Sequence, residues 1–212
     1  MLRIRIGLLV FFFMFVAATQ ANAITVFTAN LTNSQENPPT NPTTSTGAAR
    51  PASFGTATFV LNDALTALTF TATIFNIDVT GSQTPDVNDN LLNAHIHCCA
   101  PPGTNASVVW GFFGSPQNDV NPNDRVVIPS ASGVGGTFSG KWDAPEGNNT
   151  TLAAQLAGIL AGQSYINFHT TQFTGGEIRG QITAVPEPAA VILLGVGILF
   201  VGYICRRRFR RH

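Results

Sequence analysis

Three of the four histidines in the 212-residue chain fall in two short segments, 92–99 and 165–170, while the fourth, His212, is the last residue. Both segments read as strands, in which residues two apart share a face. In the first, Leu92, Ala94, Ile96 and Cys98 share an apolar face, and Asn93, His95 and His97 share the other. In the second, Ile166 and Phe168 point one way, and Tyr165, Asn167 and His169 the other. If the two apolar faces meet in one core, His95, His97 and His169 gather outside it. A His-x-His pair sets two neutral imidazoles side by side. A third from a neighbouring strand completes a T-shaped or tetrahedral set suited to copper, zinc or nickel. The same residues also fit a structural role, in which the rings hydrogen-bond loop carbonyls or the Asn167 and Glu177 side chains and fasten long connections to the sheet.

Cys98 and Cys99 stand beside this pattern. Adjacent Cα atoms are about 3.8 Å apart, below the roughly 4.4–6.8 Å of most disulfides. A vicinal bond, two free thiols, an intermolecular bridge and sulfur ligation beside His97 all stay open, with Cys99, on the histidine face, the better ligand. On the last strand Glu177, Arg179 and Gln181 face away from Ile178 and Ile182. Glu177 and Arg179 then form an ion pair with each other or with a loop, or Arg179 guides an anion. Two Asp-Asn loops, 86–90 and 118–124, offer oxygens suited to calcium but lack the twelve-residue calcium-loop pattern. No Ser-His-Asp order, phosphate loop or paired catalytic carboxylate stands out, so an enzyme is not the expected class.

The elements that position these residues are strands. Between Ile24 and Val185 the chain is rich in Thr, Val, Ile, Phe and Gly and poor in charge. Strands are expected at 24–32, 54–61, 68–74, 92–99, 108–113, 136–142, 164–170 and 177–183, with the second and third forming a hairpin. Residues 33–51, with Pro38, Pro39 and Pro42, read as a long loop. Asn149 or Thr150 caps a short helix whose stripe is Leu152, Leu156, Ile159 and Leu160, and Gly162 ends it. About eight strands and one short helix predict an all-β fold, an antiparallel Greek-key sandwich or barrel. The segment holds four basic residues against ten acidic ones, a net charge of −6. Such a domain has no electrostatic footprint for nucleic acid.

The ends read as addresses. Residues 1–23 combine Arg3 and Arg5, an apolar run and Ala21-Asn22-Ala23, the order of a signal peptide cut by signal peptidase after Ala23. The domain then spans 24–184, and a sorting segment 185–212. In the latter, Val185-Pro186-Glu187-Pro188 precedes an uncharged stretch, 189–205, and then Arg206, Arg207, Arg208, Arg210 and Arg211. That stretch is long enough for a transmembrane helix of roughly 25 Å. The arginines would hold the tail on the cytoplasmic side.

The order Pro-Glu-Pro, short apolar helix, arginine cluster resembles the PEP-CTERM sorting signal of Gram-negative bacteria. That resemblance implies recognition by an exosortase, removal of the tail, and delivery to the cell surface or extracellular matrix. The domain resembles the CHRD (chordin-type) family through four motifs: Glu36-Asn37-Pro38-Pro39 with Thr46-Gly47, Ala94-His95-Ile96-His97 with its Pro-Gly loop, Tyr165 to Thr170, and Gly176 to Ile182. The resemblance covers roughly Val26 to Thr183 and implies an extracellular or bacterial surface setting without a defined biochemical activity. In chain order, His95, His97, His169 and Arg179 are also similar to the copper ligands and anion-guiding arginine of copper-zinc superoxide dismutases. No histidine matches that family's bridging or zinc positions, so at most a three-histidine, copper-type site is implied. The expected function is an exported surface or matrix domain with a structural or adhesive role, whose partner is a matrix polysaccharide or a surface protein. The alternative is a metal-binding, redox-active domain.

Overall fold

The computed structural model describes residues 25–186, 194, 195, 197–202 and 206. The expected signal peptide lies outside the described residues, as do Glu187, Pro188, Arg207 and Arg208 of the sorting motif. Most of 189–205 lies outside them too, and among the described residues no helix is long and apolar enough to cross a membrane.

Nine strands follow one another: β1 Thr25–Thr32, β2 Phe54–Leu61, β3 Ala67–Phe75, β4 Leu91–Cys98, β5 Ser107–Phe113, β6 Val126–Pro129, β7 Gly135–Asp143, β8 Ser164–Thr170 and β9 Ile178–Ala184. They form a single sheet in the order β5-β4-β8-β9-β1-β2-β3-β7-β6, antiparallel throughout. Period-two patterning explains the best-formed part. In β2 Ala57, Phe59 and Leu61 are buried and the threonines between them exposed; β3 repeats this with Leu68, Phe70, Ala72 and Ile74. The pair is in unbroken register from Phe54↔Phe75 to Leu61↔Leu68.

The sheet curls into a half-barrel around an aromatic core. Phe70 of β3 lies 4.6 Å from Phe112 and 5.7 Å from Trp110 of β5, ring centre to ring centre, although β3 and β5 stand far apart in strand order. Trp110 stacks on Trp142 of β7 at 5.7 Å, and Phe138 of β7 meets Phe168 of β8 at 5.3 Å. These fully buried rings fill the concave side.

Helix α1, Leu152–Leu160, is the one described α-helix of the domain. Its cap is Thr151, whose Oγ1 accepts from the Ala154 amide; Asn149 and Thr150, the expected caps, precede it. Of the expected stripe, Leu152 and Ile159 are buried and Leu156 packs beside them, whereas Leu160 is half exposed. The helix sits over the end of β4. There Cys98 and Cys99 are joined by a disulfide across a cis peptide, and a Cβ built on Gly158 would fall within both sulfurs.

Candidate metal centre

Strands β4 and β8 bring the three histidines together. Asn93 pairs with His169, His95 with Asn167 and His97 with Tyr165, so the three imidazoles project from the convex face of two adjacent strands. One residue of the expected apolar face departs from it. Leu92 is exposed because the β4–β8 register shifts between Leu91 and Asn93, which turns that side chain out of the alternation.

The convex face is not open to solvent at this point. His95, His97 and His169 are 4%, 7% and 6% exposed, because three loops lie across them. Each ring is fastened to a different loop carbonyl: His95 Nε2 to Ser115 O at 3.0 Å, His97 Nδ1 to Ala106 O at 2.9 Å, and His169 Nδ1 to Thr174 O at 3.0 Å. A carbonyl oxygen only accepts, so each of these nitrogens carries the ring hydrogen. The opposite nitrogens, His95 Nδ1, His97 Nε2 and His169 Nε2, are therefore lone-pair bearers. Outer-shell carbonyls that fix the tautomer in this way are the usual companions of metal-ligating histidines.

The inward nitrogens converge. The three ligand atoms lie within 4.8 Å of one another, and among the described residues no other cluster of histidine, cysteine, aspartate or glutamate meets that spacing. His95 Nδ1 faces His169 Nε2 at 3.2 Å, and the buried His97 Nε2 has no hydrogen-bond partner. Two lone pairs at that distance repel unless a positive centre lies between them. Moving a ring hydrogen inward would strip the Ser115 or Thr174 carbonyl of its donor, a loss of about 1–3 kcal/mol for a buried group. A proton is also disfavoured, because burial holds His95 down to about 4 and His97 down to about 3, and lowers His169 too. A metal with Zn–N or Cu–N bonds of about 2.0–2.1 Å puts tetrahedral nitrogens about 3.4 Å apart, close to the His95–His169 spacing, while the widest separation, up to 4.8 Å, must close on binding. The donor set fits an imidazole-binding ion.

The depressed pKa values carry a sign. Histidines neutral in the fold but free to protonate near 6.5 once unfolded make the unfolded chain the better proton acceptor in acid. Their contribution is complete above about pH 6.5 and is lost as pH falls toward the folded values of about 4 and about 3. The metal-free chain is expected to lose several kcal/mol between about pH 6.5 and 4, visible in urea midpoints. Equal midpoints at the two pH values would mean that the rings are hydrated.

Other residues singled out from the sequence are placed differently. Glu177 and Arg179 are not solvated charges and do not pair with each other. Both are buried, and Glu177 instead accepts from Arg50 Nη2 at 2.5 Å, Thr170 Oγ1 at 2.6 Å and Ser53 Oγ. Arg179 lies over the Tyr165 ring, 3.4 Å from its centre, and donates to Thr104 O at 2.9 Å and Asn105 Oδ1 at 3.3 Å. The guanidinium thus holds the 99–106 loop over the histidines and is spent on that task, which leaves an anion-guiding role without support. Cys99 is tied to Cys98, and its sulfur lies 3.2 Å from Gln155 Oε1 on the helix side, away from the imidazoles. It is not a ligand in this arrangement. Glu36, noticed only as part of a motif, is a buried carboxyl pushed up to about 7 by desolvation, and its Oε1 and the neighbouring Asn167 Oδ1 have no partners. Nothing in the sequence near Glu36 signals that burial.

Residues 27–182 match the family model of the CHRD domain, and residues 184–211 match that of the PEP-CTERM protein-sorting motif. No curated protein and no solved structure matches the chain. The C-terminal match makes this an exported protein sorted by its C-terminal signal, with processing by an exosortase-type enzyme. With its model matched over most of the chain, and the four motifs set on β4, β8, β9 and the loop after β1, the protein belongs to the CHRD domain family.

Proposed function

We propose that this exported domain binds one divalent, imidazole-preferring metal through His95, His97 and His169. The observation that carries the reading is the buried cluster of three inward nitrogens, each opposite a ring nitrogen whose hydrogen is committed to an outward carbonyl. Three neutral nitrogens with no carboxylate or thiolate favour copper(II) over zinc(II) on affinity. The protein holds and orients the ion through Nδ1 of His95 and Nε2 of His97 and His169, and the loops keep water away. When bound, the metal would offer a Lewis-acid or redox centre at the cell surface.

The test is the metal content of the full chain after loading with copper(II) or zinc(II) and dialysis, beside a His95→Ala/His97→Ala variant. One equivalent is expected in the parent and none in a variant that keeps its circular dichroism spectrum. A folded parent that retains no metal overturns the reading.

A second reading is a structural or adhesive surface domain, displayed toward a matrix polysaccharide or a surface protein. The same three ring-to-carbonyl bonds favour it, since they fasten the 99–106, 114–118 and 171–176 connections to the sheet without needing a metal. It predicts that His169→Ala speeds amide exchange in 171–176 and leaves metal content near zero in both parent and variant.

A further inference from the structure

The Cys98–Cys99 disulfide is not used by the metal reading, and its surroundings point to a chemistry of its own. It sits at the junction of three parts. It ends β4 one residue after His97. It begins the 99–106 loop, which returns to the sheet at Ala106, the residue whose carbonyl holds His97. It also carries helix α1, because Gly158 lies against both sulfurs with no room there for a Cβ. Cys98 is buried and Cys99 is exposed, so one sulfur of the pair can be reached by another thiol while the other cannot. Besides the disulfide, the loop is tied at its start by Ala100 N to Gln163 O at 3.0 Å, and farther along by Gly103 O to Asn37 Nδ2 at 2.9 Å, Thr104 O and Asn105 Oδ1 to Arg179, Asn105 Nδ2 to Asn37 O at 2.8 Å and Ala106 N to Tyr165 Oη at 3.0 Å.

We propose that Cys98–Cys99 is a reversible redox-modification site, opened by an exported dithiol, and that opening it releases the 99–106 loop from its seat over the histidines and helix α1 from the end of β4. A thiolate of the dithiol attacks Cys99 Sγ. A mixed disulfide forms there, the Cys98–Cys99 bond breaks, and Cys98 leaves as a thiolate that takes a proton. The second thiol of the reductant then attacks its own sulfur in the mixed disulfide and frees Cys99 as a thiol. The protein gains two electrons and two protons, and the dithiol becomes a disulfide. Two separate thiols need more room than the bonded pair, and the backbone of Gly158 occupies that room, so the helix must lift. For what it regulates, the proposal rests on the metal reading, because the loop freed is the one that holds His97 and covers the site.

The experiment treats the full chain with dithiothreitol without denaturant, labels it with iodoacetamide, and follows amide exchange by mass spectrometry. Both Cys98 and Cys99 are expected to take label, with amides in 100–106 and 152–160 exchanging at least about tenfold faster and those of β2 and β3 unchanged. A Cys98→Ser/Cys99→Ser variant should exchange like the reduced parent, ignore dithiothreitol, and lose zinc(II) on dialysis where the oxidised parent keeps it. A chain in which neither cysteine is labelled, or in which both are labelled with exchange unchanged, overturns the proposal. These arms use the parent alone, so they decide it even if the variant does not fold. If the oxidised parent itself retains no zinc, the metal reading falls, while labelling and exchange still decide the redox site.

Discussion

Glu177→Ala is expected to destabilise the domain by about 3–5 kcal/mol, the usual consequence of removing one partner of a buried ion pair. The carboxylate is wholly buried and satisfies three donors, Arg50 Nη2, Ser53 Oγ and Thr170 Oγ1, each from a different segment. Without it the Arg50 guanidinium stays buried and loses its ion-pair partner. Removing both charges at once is far less costly, because the desolvation of each disappears with it. Arg50→Met/Glu177→Met should therefore recover much of the loss. Urea denaturation of the parent, the single variant and the double variant measures this. A single-variant loss below about 1 kcal/mol would show that water screens the pair, as at a surface.

Saturating copper(II) or zinc(II) is expected to raise the melting temperature of the parent strongly. A ligand present at about a thousandfold over its dissociation constant stabilises the state that binds it by about 4 kcal/mol. For a domain of this size that corresponds to roughly 8–16 °C. His169→Ala removes the nitrogen that faces His95 at 3.2 Å, so its melting temperature should be the same with and without metal. Calcium, which prefers oxygen ligands, should shift neither protein and serves as the control. An equal rise in parent and variant would place the metal somewhere other than the three histidines.

Most of the sheet could be read from the chain because alternation is a local property. Ala57, Phe59 and Leu61, or Leu68, Phe70, Ala72 and Ile74, report their own facing directly, and the hairpin follows from their closeness in sequence. Strand β6 leaves no such mark in the sequence. Val126-Val127-Ile128-Pro129 is an edge strand of four residues, three of them exposed, so it carries no burial pattern to detect. Leu92 escapes the alternation because the β4–β8 register shifts between Leu91 and Asn93.

The candidate site was legible in its members and not in its surroundings. Alternation says that His95, His97 and His169 project from the side opposite the core. It says nothing about what covers that side, and here the cover comes from Ala106, Ser115 and Thr174, each in a different loop. The partner of Glu177 was hidden for the same reason. Arg50 is 127 residues away in the chain, and only the folded path of the 33–53 loop brings it there. Local pattern fixes direction, while burial of a polar face depends on long-range packing.

The position of β9 bears on how the domain carries load. It is a central strand, flanked by β8 and β1, and it leads directly into the sorting segment, with the Val185 amide bonded to Val26 O at 2.8 Å. If the chain is held through its C-terminal segment and gripped at its far end, tension runs along the axis of β9. The rungs on both sides, Thr28↔Thr183 to Thr32↔Arg179 and Ser164↔Ile182 to Phe168↔Ile178, are then strained in parallel. Bonds sheared together resist far more than bonds peeled one at a time. A domain held that way resists through both ladders of β9 at once.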